Sequence, residues 1–433
     1  MTHRNTVTPK IKRHTNTRNL LLLILILSLF LRLSFCLVVY PRMIEKKGEE
    51  MGWTVKGELA VEPYDAIARN ILAGKGYVDD SQRINLERLP LYVYFLVLVY
   101  KAWGTEIWKL QIVQSVLDTL SCLLIFFISL QFFKDRTAAL LGAAFYAVYF
   151  KMIGIVSRPL TETLYVLLLL IFIYIFLSSF KSKSAAFLSG ILLGMLTLTR
   201  PITLLFPGAA VGLYFWKSRK TAFSKAGLLS LGFLLLVLPL FVRNYLLEGR
   251  VFFSTRGGKM LYLGTIIDYS KDFRMEELNR LREINEKYPS LPYSIKEDNA
   301  LRNKAVKNIL RDPTAYARRI LHRAYLFWVY PDFSTRLMSL KTVGIAAYMI
   351  ILISLAVFGF RSAHKAGLSY APFSVTLLYF YLAHIPIYAL SRFSLPVFPI
   401  LFMFAGFGIA NIIKRHEHGI SNPTAEVTAP ESP

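Results

Sequence analysis

Five arginines occupy positions where an otherwise consistent charge pattern disfavours positive charge. Arg88, Arg158, Arg200, Arg243 and Arg392 lie beside long apolar runs, three of them in the dipeptides Arg158-Pro159, Arg200-Pro201 and Arg243-Asn244. A guanidinium group is planar, keeps its proton and donates in pairs, so several at one depth suit a phosphate or diphosphate. Snorkelling to lipid headgroups remains the competing account of each one taken singly. Carboxylates lie nearby in sequence. The stretch VEPYDAIARNILAGKGYVDD and the following INLERLPLYVYF bring Glu62, Asp65, Asp79, Asp80 and Glu87 ahead of an apolar run, with Tyr64 among them, and Glu162 sits between Thr161 and Thr163. A carboxylate within hydrogen-bond reach of a hydroxyl can take its proton and turn it into a nucleophile. For Asp65 the alternative is simple complementation of a helix dipole at the start of a helix that ends near Gly74, and Asp79 and Asp80 read as solvated loop residues. Glu162 either pairs with Arg158 or belongs to the same site.

The elements that must position these groups are membrane helices. The chain has 433 residues, 55% hydrophobic and 18% charged, with a mean hydropathy of +0.45. Its apolar residues come in blocks as long as a bilayer is thick, which no single soluble core could bury. The expected fold class is therefore an all-α polytopic membrane protein. Apolar runs fall at 20–40, 107–132, 137–153, 160–180, 185–200, 202–216, 226–243, 341–360, 367–389 and 395–413, which predicts about ten transmembrane helices. Lys134 with Arg136, Lys181 with Lys183, Lys217 to Lys225, Arg361 with Lys365, and Lys414 with Arg415 share one side when the runs are threaded alternately. Basic short loops are cytoplasmic, so both termini are expected in the cytoplasm and the five exceptional arginines on the outer face.

This threading divides the chain into a basic N-terminus (1–19), a membrane module with an outer loop (20–243, loop 41–106), an outer helical segment (244–340), C-terminal membrane helices (341–413) and a Ser-, Thr-, Pro- and Glu-rich tail (414–433). The outer segment shows helix-period stretches at Asp272 to Lys287 and Glu297 to Arg311, then Pro313 and the amphipathic run Tyr316 to Tyr330. The net charge of +24 fits cytoplasmic loops and anionic headgroups, and no nucleic-acid partner is expected. Cys36 and Cys122 are the only cysteines, which excludes a disulfide framework or a zinc site built on thiolates. Within the apolar runs, Arg32 and Asp118 fall at similar depth below the outer surface, and a buried ion pair between them is the simplest account.

In order along the chain these features resemble the polytopic glycosyltransferases of the GT-C fold, in the group (glycosyltransferase family 39) of the protein O-mannosyltransferases and the aminoarabinose transferase of lipid A. The likeness runs from the leucine-rich first helix with Arg32, through Tyr64, Ala68 and Gly74 to Tyr77, to Glu87-Arg88-Leu89-Pro90-Leu91-Tyr92, which looks like the family's Glu/Arg-Lys-x-Pro-Leu-Tyr element. It continues through Gln114, Thr161-Glu162-Thr163, Leu198-Thr199-Arg200-Pro201, Arg243-Asn244-Tyr245, the segment Ser254 to Gly258 with Tyr262 and Gly264, and Arg392 to Pro399. The resemblance implies a polyprenyl-phosphate sugar donor, an inverting transfer, and an acceptor hydroxyl or phosphate on a glycolipid, a protein or a polysaccharide of the cell envelope. It places a donor-phosphate contact at Arg88, an acidic partner at Glu87, and the base in the first outer loop. The family's acid stands three or four positions before the loop tyrosine; here those positions are Val61 and Ala60. Glu62, Asp65 or Glu58 must then serve, with Glu62 placed first and Asp65 second. Tyr64, Arg158, Glu162, Arg200, Arg243 and Arg392 are expected to bind substrate. A divalent metal is admitted by the resemblance without being required, and the expected cofactor is otherwise none.

Two other classes compete. A transporter or flippase of lipid-linked sugars would use Arg32 and Asp118 along a path, but broken midplane helices and matching halves are not seen in the hydropathy. An assembly subunit without catalytic activity would tolerate loss of the acids. The cell membrane, with the site on the outer or periplasmic side, is the expected location. Single cysteines placed at 65 and 88 should label from outside intact cells; labelling only after permeabilisation would overturn the topology.

Overall fold

The computed structural model describes residues 9–50, 63–217, 219–266, 294–329, 340–388 and 391–420. Glu58, Glu62 and the stretch Asp272 to Lys287 lie outside the described residues. Within them the chain is almost wholly helical, and the one isolated β-bridge joins Val78 to Ile84. The first part comprises α1 (Pro9–Ser34), a π-helical turn (Phe35–Val39), α2 (Tyr40–Glu50), α3 (Pro63–Leu72), α4 (Pro90–Trp103), α5 (Ile107–Phe133), α6 (Arg136–Ala147) and α7 (Phe150–Ile155). There follow α8 (Glu162–Ser179), α9 (Lys183–Thr199), a 3₁₀ turn (Pro201–Thr203), α10 (Phe206–Lys217), α11 (Arg219–Glu248) and α12 (Gly257–Ile266). The last part holds α13 (Ile295–Arg311), α14 (Pro313–Val329), α15 (Leu340–Lys365), α16 (Ala371–His384), a 3₁₀ turn (Ser391–Val397) and α17 (Phe398–Ile420).

Local chemistry sets many of the boundaries. Pro90 opens α4 where a missing N–H costs nothing, and Gly104 closes it at φ +96°. Asp135 and Ser182 cap α6 and α9 by accepting the N–H of Ala138 and Ala185 at 3.0 and 3.2 Å. Ser294 and Glu297 form the Ser-x-x-Glu start of α13, with the serine hydroxyl accepting the Glu297 N–H at 3.2 Å.

Six described segments are long and apolar enough to cross a bilayer: Asn16–Glu45, Ile107–Phe133, Glu162–Ser179, Arg219–Glu248, Val343–Lys365 and Arg392–His416. The other expected runs are helical but shorter or divided. The run at 137–153 breaks at Val148 and Tyr149 between α6 and α7. Residues 202–216 yield the 12-residue α10 beyond the Pro201 turn, and 367–389 the 14-residue α16. Hydropathy sums apolar residues across such breaks, whereas caps and prolines end helices at particular positions. The expected outer loop 41–106 also contains the apolar helix α4. At 1.5 Å per residue a helix of that size spans only about 20 Å, short of the hydrocarbon core.

The last helix is the hub. About nine-tenths of its apolar window is enclosed by protein (89%), against 17% for the first span. It packs on α6 and α15, and at Gly359 a β-carbon would run into the Phe404 carbonyl, so α15 and α17 meet backbone to backbone. Phe360 and Phe404 stack with ring centres 3.6 Å apart, and Phe133 and Phe407 stack at 4.3 Å.

The thinly packed α1 is fixed differently. Arg32, Asp118 and Tyr146 are fully buried, and the expected ion pair is present: Arg32 Nε donates to one Asp118 oxygen and the Tyr146 hydroxyl to the other. The guanidinium also donates to the carbonyls of Ser28 and Ala147 at 2.9 Å and of Tyr146 at 3.3 Å. One side chain thereby binds α1 to α5 and α6, and every polar atom it brings into the apolar interior has company. Arg32→Ala leaves the Asp118 charge stranded and should cost about 3–5 kcal/mol. Arg32→Met combined with Asp118→Leu removes both charges and should cost much less. Thermal unfolding of detergent-solubilised variants measures the difference, and equal losses would contradict this account.

Candidate active site

Several helix ends converge on one cavity of about 570 Å³. The starts of α4, α8 and α12, the ends of α9 and α16, and the turn before α17 all contribute to its wall. The corner before α4 is built from the sequence outward. Asp79 organises a tight turn, accepting the Arg83 N–H on its carboxylate at 2.9 Å, while Gln82 takes φ +58°. The Asn70 amide ties α3 to this turn through the carbonyls of Val78 and Asp79 at 3.1 and 3.0 Å. Asn85 then accepts the N–H groups of Glu87 and Arg88 at 3.1 and 2.8 Å, an Asx turn that aims both side chains at the cavity.

Glu87 joins this corner to the chain before α12. Its carboxylate meets Arg256 at 2.9 Å, Lys259 at 3.8 Å and Arg88 at 3.9 Å, and its carbonyl accepts the Ser254 hydroxyl at 3.0 Å. Burial pushes the Glu87 carboxyl up, but Lys259, Arg256 and Arg88 outweigh it and hold the group at about 2, below its ordinary 4.5. Burial first, then the neighbouring Arg88, lowers the Arg256 guanidinium from its ordinary value, while Glu87 opposes them. Across the cavity Glu162 is 2% exposed and receives Arg200 at 3.5 Å and Arg392 at 3.7 Å. Arg200 lies over the Phe393 ring at 5.1 Å, and Arg88 over the Tyr64 ring at 4.8 Å. The described lining thus sets five guanidinium groups, those of Arg88, Arg200, Arg256, Arg302 and Arg392, against the carboxylates Glu87 and Glu162.

Of the residues singled out from sequence, Tyr64, Glu87, Arg88, Glu162, Arg200 and Arg392 come together here. Arg158 and Arg243 are not among the lining residues. The Arg158 carbonyl accepts the Gln114 amide at 2.8 Å, while Arg243 stacks on Tyr77 at 5.2 Å. Asp65 also lies apart, buried, holding Arg69 at 2.8 Å and accepting the Tyr100 hydroxyl. Asp79, read from sequence as a solvated loop residue, is instead buried because its carboxylate holds the turn together, and Asp80 is exposed.

Sequence reasoning missed Arg256, Lys259, Arg302 and His384. The first two flank a glycine pair that opens α12, and Arg302 looked like one more charge on a surface helix. Its neighbour Asp298 accepts the N–H groups of Gly258 and Lys259 at 2.6 and 3.2 Å, capping α12 from outside, and also takes Arg302 at 2.8 Å. His384 did carry a signal, being an ionisable residue inside an apolar run like Arg32 and Asp118.

Among the described residues no three His, Cys, Asp or Glu side chains stand together, and both cavity carboxylates are committed to cations. That donor set does not fit a divalent ion, which needs several uncommitted oxygens.

The family model of dolichyl-phosphate-mannose-protein mannosyltransferases matches residues 87–243, a stretch that begins at Glu87 and includes Glu162 and Arg200. The archaeal oligosaccharyltransferase AglB from Archaeoglobus fulgidus, solved with an inhibitory peptide and a dolichol-phosphate, aligns over 95% of this chain with a TM-score of 0.54 at 13% identity. The chain has the GT-C fold. A second structure of the Archaeoglobus fulgidus oligosaccharyltransferase, tethered to an acceptor peptide, aligns over 93% of the chain with a TM-score of 0.55 at 13% identity. The chain spans about half the length of these two proteins, 52% and 51%. ArnT from Cupriavidus metallidurans bound to undecaprenyl phosphate aligns over 84% of this chain and 76% of its own at 12% identity, with a TM-score of 0.36. No curated protein sequence matches significantly. In this GT-C chain the cavity lies where the matched segment meets residues 251–260, 384–388 and 392–393.

A depressed acid stabilises the fold above its ordinary pKa, and that contribution is lost as pH falls through the folded value. Stability of the wild type should therefore drop between about pH 4.5 and 2 more steeply than that of Glu87→Gln. Unfolding midpoints across that range in detergent test this; parallel curves would show that Glu87 is not so held.

Proposed function

We propose that the chain is an integral membrane glycosyltransferase that moves a sugar from a polyprenyl-phosphate donor to an acceptor on the outer face of the membrane. The observation that carries this reading is the cavity's charge. Five guanidinium groups against two carboxylates, at converging helix ends in an apolar frame, suit a lipid-linked phosphate whose sugar is being removed. The relative AglB was solved with a dolichol-phosphate, a lipid of that class.

In the proposed reaction a carboxylate takes the proton of the acceptor hydroxyl, whose oxygen attacks the anomeric carbon from the face opposite the phosphate. The new carbon–oxygen bond forms as the bond to phosphate breaks, and its electron pair leaves on the lipid phosphate, inverting the anomeric centre. The guanidinium groups stabilise the charge arriving there, with Arg88, Arg200 and Arg392 in place at the cavity. Glu87 is held at about 2 by its cations, which makes it an orienting anion and a feeble base. Asp65 is occupied by Arg69 and Tyr100. The base is therefore assigned first to Glu62, two residues before the cavity residue Tyr64, and second to Asp65. Arg158 and Arg243 are assigned to the approach of the donor headgroup. The acceptor is a glycolipid, a protein or a polysaccharide, the termini are cytoplasmic, and the segment 244–340 lies on the outer face.

Transfer from a panel of radiolabelled polyprenyl-phosphate sugars, in membranes containing the full chain, tests this. Arg88→Ala and Arg392→Ala should each reduce the rate about 100-fold, and Glu62→Gln should abolish it while Asp65→Asn has a smaller effect. Absence of transfer from every donor by well-folded protein would defeat the reading.

A further inference from the structure

His384 closes α16 and lines the cavity, yet only 4% of its surface is exposed. Its ring lies among Phe327, Phe380 and Phe393, with centre distances of 5.7, 6.3 and 5.4 Å. Nδ1 is 2.7 Å from the Phe380 carbonyl oxygen. A carbonyl can only accept, so the proton sits on Nδ1, and in the uncharged ring Nε2 is left as an acceptor. No described group bonds Nε2, and it is not among the sealed, unpartnered side-chain atoms of the interior. A buried histidine whose second nitrogen has surface, in a residue that lines a cavity, presents that nitrogen to the cavity.

The other polar groups of the wall explain why this matters. The five guanidinium groups only donate, and the two carboxylates are taken by cations. An ionised lipid phosphate offers acceptors only, so it satisfies the arginines and has nothing to give His384. A sugar offers hydroxyl donors. We infer that His384 Nε2 accepts a hydrogen bond from one hydroxyl of the transferred sugar and is a specificity-determining residue of the site, a reading that rests on the proposed glycosyl transfer.

Two substitutions separate this from a packing role. His384→Asn keeps a donor near the Phe380 carbonyl and removes the Nε2 acceptor, whereas His384→Gln puts an amide oxygen near the Nε2 position. The full chain in detergent is titrated with undecaprenyl phosphate, with a panel of undecaprenyl-phosphate hexoses, and with their monodeoxy analogues. The wild type should bind one hexose lipid more tightly than the bare lipid phosphate. His384→Asn should weaken that hexose lipid about five-fold, leave the bare lipid unchanged, and lose nothing against the one analogue lacking the bonded hydroxyl; His384→Gln should restore part of the loss. Equal binding of every ligand by wild type and His384→Asn, or an equal loss on the bare lipid, would overturn the inference while leaving the proposed function standing. Failure of the wild type to bind any of the lipids would overturn both.

Discussion

A carboxylate cannot stay ionised in an apolar frame without cations, and several cations cannot share a small cavity without a carboxylate between them. Glu87 and Glu162 meet both demands. Glu87 joins the corner before α4 to residues 256–259, and Glu162 joins the start of α8 to the end of α9 and the turn before α17. Segments separated by 169 residues in one case are thereby clasped by charge. The apolar packing of α17 supplies the frame, but the walls of the cavity are set by these two anions. Without either, guanidinium groups would face one another at short range.

Helix ends give the cavity its room. Pro201 turns the chain between α9 and α10, and His384 ends α16 after 14 residues, so helices stop short where side chains from loops can converge. Lateral support comes from aromatic rings: Phe393 lies beneath both Arg200 and Arg392, at 5.1 and 5.7 Å. Such stacking holds a guanidinium group in place while leaving its N–H groups directed elsewhere.

The membrane class, the positions of most helices and the Arg32–Asp118 pair were legible because each follows from one rule: apolar length, or the intolerance of lipid for a lone charge. Arg88, Arg200 and Arg392 stood out as exceptions to the charge pattern, Glu87 and Glu162 as carboxylates near them in sequence, and all five meet at one cavity. Arg158 and Arg243 carried the same signal but do not line the cavity: Arg158 stands close enough to Glu162 to act on its charge, and Arg243 lies over the Tyr77 ring. Arg256 and Arg302 were not legible, since both lie in a long segment crowded with charges of both signs, where one more arginine carries no signal, and only its folding back through Glu87 and Asp298 brings them in. The turn at Pro201 was legible as the gap between two apolar runs, whereas the break at Tyr149 escaped hydropathy because an average over a window does not register where a helix stops.

Arg32 carries an implication for how the chain is made. It leaves the ribosome 86 residues ahead of Asp118, on a helix whose outward face shows Leu23, Ile26 and Phe30 to lipid. Until α5 and α6 arrive, that helix holds a guanidinium with no anion, which costs about 2.5–3.5 kcal/mol at the centre of a bilayer. The first helix therefore enters the membrane as a provisional guest, retained by its leucines, and becomes a permanent member of the bundle only when the second span brings the counter-charge. Biogenesis of this protein has an order written into it, with the ion pair as the latch that ends the first stage.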